Sequence, residues 1–158
     1  MNVYLFVKWL HVLSSVALVG IGFGSAYYMF FANRGASLAA KAEVARLVVR
    51  ADWWFTAPAA VLQPLTGLLL AHLAGLPLST PWLATSIALF LLAGACWIPV
   101  VWLQIEMTAM AREALASGTE LPDRYRRFAR WWELLGYPAF AAMLVVYWLM
   151  VVKPSLTL

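Results

Sequence analysis

The chain has 158 residues, 65% of them hydrophobic and 11% charged, with a mean hydropathy of +0.83. Soluble globular domains carry about 25% charged residues, so less than half the usual solvated surface is present, which excludes an ordinary soluble enzyme and excludes disorder. The net charge of +4 does not point to nucleic acid, because the basic residues gather in two short segments between apolar runs.

Four apolar runs reach the ~20 residues needed to cross a bilayer. They lie at Val3–Phe31, Trp54–Leu76, Trp82–Gln104 and Trp131–Val152. The expected fold is all-α: one domain over residues 1–158, an integral membrane bundle of four transmembrane helices. The first run has no basic residues ahead of it and is too long for a signal-peptide core, so it reads as a retained span. Between the first two runs, Ala36–Arg50 predicts an interfacial helix capped by Ser37, with Glu43 three residues before Arg46. Gly75, Pro77 and Pro81 predict a tight turn that makes the second and third helices antiparallel neighbours. The third helix is expected to run on through Glu106–Ser117 and stop at Gly118. The fourth begins near Pro122 or Asp123, with Glu133 positioned for an i,i+3 ion pair with Arg130.

Orientation follows from the basic residues. Arg34, Lys41, Arg46 and Arg50 occupy the first loop, and Arg112, Arg124, Arg126, Arg127 and Arg130 the third. Two crossings separate these loops, so both belong on the cytoplasmic side and both termini outside. Trp9, Trp53, Trp54, Trp82, Trp131, Trp132 and Trp148 fall near span ends, as an interfacial aromatic belt requires. The expected location is the bacterial inner (plasma) membrane, with the lipid bilayer as the principal partner.

An ionisable side chain within a span is a functional candidate. Lys8, His11, His72 and Glu133 qualify, accompanied by Ser14, Ser15, Gln63, Thr66, Thr85 and Ser86. His11, Ser15, Leu18, Gly22 and Ser25 share one helical stripe, small and polar, suited to close helix packing or to a flat ligand. His11 has two readings: an imidazole hydrogen-bonded to Ser14, Ser15 or a neighbouring helix, or an axial ligand of haem iron. Lys8, one turn away, either snorkels to the interface or neutralises a haem propionate. His72 is near the same membrane surface as His11, but its helical phase lies half a turn from Gln63 unless Pro64 shifts it. Cys96 is the only cysteine, so an internal disulfide is excluded and apolar packing is its expected role. No hydrolytic or nucleotide-binding motif occurs. Met29, Met107, Met110, Met143 and Met150 are not clustered by spacing, which gives copper transport little support.

Tyr4-Leu5-x-x-Lys8-x-Leu10-His11-Val12 resembles the opening helix of the HemJ-type protoporphyrinogen oxidases. Arg130, Glu133 and Pro138, followed by Val151-Val152-Lys153-Pro154, resemble their last helix. Pro58…Leu65-Thr66-Gly67 and Trp82-Leu83…Ala88-Leu89 align loosely with the middle two. The same residues are similar to related predicted membrane proteins of unknown function and to CopD-like membrane domains. The resemblance implies a bundle holding b-type haem with His11 as a ligand. Ser86 stands where that family has a lysine and Trp97 where it has a further histidine, so His72 becomes the expected second ligand. The resulting expectation is a b-type haem protein of redox or electron-transfer role, using a quinol or tetrapyrrole as lipophilic donor. Its cofactor-binding residues are His11, His72, Lys8 and Ser15. The alternative is a haem-free structural or accessory subunit of a larger membrane complex or homo-oligomer.

Overall fold

A computed structural model describes residues 2–154. Helix α1 spans Val3–Gly35, started by Asn2, whose side chain accepts from the Tyr4 amide at 3.1 Å. At 1.5 Å per residue it is ~50 Å long and so exceeds the ~30 Å hydrocarbon core. Helix α2, Leu38–Ala51, starts at the expected cap: the Ser37 hydroxyl accepts from the Ala40 amide. The expected Glu43–Arg46 pair also forms, at 2.6 Å.

The structure departs from the expected loop-then-span arrangement here. α2 runs through a π-helical turn at Asp52–Thr56 directly into α3, Ala57–Leu73, giving one continuous rod over Leu38–Leu73. Pro58 explains the turn. It has no amide hydrogen, and its ring crowds the carbonyl one turn earlier, so the ladder widens by one residue instead of breaking. The Ala57 amide accordingly reaches the Asp52 carbonyl.

Gly75 (φ 64°) turns the chain after α3. Helix α4, Pro81–Ser117, ends at Gly118 (φ 66°), and α5, Asp123–Val152, begins where Pro122 predicts. The four helices long and apolar enough to span a membrane are α1, the α2–α3 rod, α4 and α5, and no strand occurs among the described residues.

Packing is uneven. α4 and α5 form the most extensive pair, α2 lies on α4, and α3 lies on α1. α3 and α4 barely touch despite their short connection, and α1 meets α5 only sparingly. The antiparallel neighbours expected from the Gly75–Pro81 turn are therefore splayed apart. The tight core lies toward the end that carries the basic loops. There Met29, Ala45, Met107 and Ala111 are almost wholly buried, and alanines on α2 and α4 let the two backbones approach. Trp132, expected in the interfacial belt, is buried in this core, while Trp9, Trp53, Trp54, Trp131 and Trp148 are exposed.

Glu133 also departs from expectation. Its carboxylate takes both guanidinium nitrogens of Arg34, at 2.7 and 2.8 Å, instead of pairing with Arg130 one turn away. The planar fork at the end of α1 matches the carboxylate in two parallel bonds, and Arg34 also covers the Phe30 ring at 3.4 Å. This bond ties α1 to α5 at the basic end. Elsewhere the surface is apolar, with Val16, Leu65, Leu91, Ile98 and Leu144 outward, as a lipid-facing bundle requires.

Candidate functional site

Two polar groups lie within the bundle, both on one stripe of the α2–α3 rod: Asp52, Thr56, Gln63 and Thr66, spaced four, seven and three residues apart. The group farther from the basic loops joins α3 to α1. The Thr66 hydroxyl gives its hydrogen to the Leu62 carbonyl at 2.7 Å and so accepts from His11 Nδ1 at 2.9 Å. Gln63 Nε2 donates to His11 Nε2 at 3.1 Å, and the Ser14 hydroxyl donates to Gln63 Oε1. With the Gln63 amide in this orientation, the imidazole proton lies on Nδ1. Gly67 makes room for the ring, since a Cβ there would stand 3.1 Å from His11 Cε1. Both ring nitrogens thus have protein partners on the neighbouring helix, the first of the two readings of His11.

The remaining haem candidates are not gathered around it. His72 and Lys8 are exposed. Ser15 turns its hydroxyl back to the Val12 carbonyl at 2.7 Å, and its own carbonyl accepts from Tyr147 at 2.9 Å. With both nitrogens of His11 engaged and His72 outward, these residues as arranged do not fit a bis-histidine haem. Among the described residues no group of three or more His, Cys, Asp or Glu is placed to hold a metal ion.

The second polar group closes the basic end of a cavity of about 390 Å³ between α1, the α2–α3 rod, α4 and α5. Its walls are aromatic and small: Phe23, Phe30, Phe90, Trp97 and Phe140, with Gly22, Gly94 and Gly136. Leu18, Gly22 and Ser25 of the small stripe predicted on α1 form one side. α1 and α5, which both line the cavity, meet only sparingly, and Phe23 and Phe140 bridge them edge to face with centroids 5.5 Å apart.

At its inner end stand Asp52, Thr56, Gln104 and Trp132, each no more than 6% exposed. Asp52 Oδ2, Thr56 Oγ1, Gln104 Oε1 and Trp132 Nε1 make no hydrogen bond of good geometry, although Thr56 and Gln104 stand close enough to donate to the Asp52 carboxylate. Buried polar atoms are paired in the great majority of cases, and each orphan carries a desolvation penalty. All four polar side chains stand at the head of one apolar cavity. Asp52→Leu removes a buried carboxyl group that has no counter-charge among the described residues and should raise the stability of the bundle by ~1–3 kcal/mol. Denaturant titration of the purified variant in mixed micelles checks the sign.

Sequence reasoning passes over these four residues. Placing the second span at Trp54 leaves Asp52 outside the membrane, and Gln104 reads only as the end of the third. The signal was the buried stripe Ala45, Val48, Asp52, Thr56, Ala59, which crosses that boundary at helical spacing.

Four apolar spans, with their tightest packing at the basic end, define an integral membrane helical bundle. The chain belongs to the family described as predicted integral membrane protein (DUF2269), whose model matches residues 5–154. Membership of the HemJ-type oxidases does not follow from that match. No curated protein and no solved structure matches the chain.

Proposed function

We propose that this protein binds a lipophilic small molecule in the cavity between α1, the α2–α3 rod, α4 and α5. The observation that carries this reading is an apolar cavity whose inner end holds four buried polar side chains, Asp52 among them without a counter-charge. The volume falls in the ~300–1,000 Å³ range of small-molecule sites, and apolar walls with a few convergent polar groups are their usual composition. The basic residues of both loops lie at one end of the bundle, which supports a bacterial inner membrane placement with that end cytoplasmic.

The reading is haem-free. Ligation by His11 would require the imidazole to leave Thr66 and Gln63, and no imidazole lines the cavity. Protein purified in mild detergent from haem-supplemented cells should show no Soret band, oxidised or dithionite-reduced. Solvent extraction of the same sample should release one lipophilic compound in near-stoichiometric amount, identified by mass spectrometry against empty micelles. A Soret band that disappears in His11→Ala would restore the haem reading. Extracts matching bulk membrane lipid would remove the proposed one.

A further inference from the structure

Resting on the cavity reading above, we infer that the ligand carries a protonated amine, bound by the Asp52 carboxylate. Charge makes the first part of the case. The only charged residues lining the cavity are Asp52 and Glu133, both acids, and no lysine, arginine or histidine lines it. Glu133 is neutralised by Arg34 in a two-pronged ion pair, whereas Asp52 has no ion-pair partner among the described residues. A buried carboxylate without a counter-charge is among the most expensive groups to hold in a bilayer. A cation brought by the ligand removes that penalty.

Hydrogen-bond capacity makes the second. Thr56 and Gln104 can donate to the Asp52 carboxylate and so hold it at the head of the cavity. The ionised carboxylate only accepts, and Oδ2, which makes no good hydrogen bond, is left for an N–H of the ligand. Trp132 Nε1 is a donor only, so it is left for an oxygen on the same head group. The aromatic walls, Trp97 among them, supply apolar surface for the ligand body. The head lies toward the basic end and the walls run deeper into the bundle, so an amphiphile enters from the lipid with its amine leading toward the interface.

The test compares naphthylmethylamine with its neutral counterpart naphthylmethanol, titrated into the full-length protein in nanodiscs and corrected against protein-free nanodiscs. The amine should bind roughly ten- to hundredfold more tightly than the alcohol, the range that charge-assisted hydrogen bonds supply. Asp52→Asn, which keeps the shape, should erase that preference. Equal binding of amine and alcohol, or an amine preference that survives Asp52→Asn, overturns the assignment of the head group. In that case binding that is still lost in Gly94→Leu leaves the cavity reading standing. Failure of both probes to bind above protein-free nanodiscs overturns both.

Discussion

Gly94→Leu should abolish ligand retention and at the same time make the protein more stable. Gly94 lines the cavity on α4, and a Cβ there meets nothing within 4 Å, so the added side chain extends into the cavity without displacing a neighbour. A glycine inside a helix costs ~0.5–1 kcal/mol relative to alanine, so its removal favours the folded bundle. The retained compound should fall about tenfold or more, as expected when a fitted ligand loses its space. The thermal midpoint in the same detergent should rise. The opposed signs matter, because a variant that merely misfolds loses both. Gly22→Leu, on the facing wall of α1, is equally free of close neighbours and should behave in the same way.

Met107→Ala should be the most damaging single truncation at the basic end. Met107 has no exposed surface and sits in the cluster where α2, α4 and α5 meet. The hydrocarbon of the bilayer is as apolar as the core, so little transfer energy is lost. The penalty comes from the cavity left behind and the dispersion contacts forfeited. Large-to-small core changes cost ~2–5 kcal/mol in water, and the low end of that range is expected here. Ile98→Ala, on the same helix but 69% exposed to lipid, should be close to neutral by the same reasoning. Denaturant titrations of the two variants side by side provide the comparison. Equal losses would mean that the helices are held together through faces now assigned to lipid.

Much of the scaffold was legible because it depends on local chemistry. Run length and hydropathy predict four crossings, Ser37 predicts the start of α2, and Gly118 predicts the end of α4. Each follows from residues within a turn or two of the feature. The small stripe on α1 divides in the structure: Leu18, Gly22 and Ser25 line the cavity, while His11 bonds to α3. The hydrogen-bonded state of His11 was one of two readings that its neighbours permitted.

The site was not legible. Its four polar groups come from the α2–α3 rod, α4 and α5, and nothing local to any one of them tells which face is lipid and which is cavity. In water a polar stripe faces solvent and an apolar one faces the core. In a bilayer both faces are apolar, so hydropathy loses the contrast that would separate inside from outside. The partner of Glu133 escaped for a related reason, since an i,i+3 neighbour is visible in sequence and an arginine 99 positions away is not. The number of spans and several of their ends were thus determined by the sequence alone, through length, caps and turn residues. Which polar atoms meet, which are left unpaired and where α1 parts from α5 were decided only by the tertiary packing, because those depend on how rigid rods of unequal length and small-residue content can lie against one another.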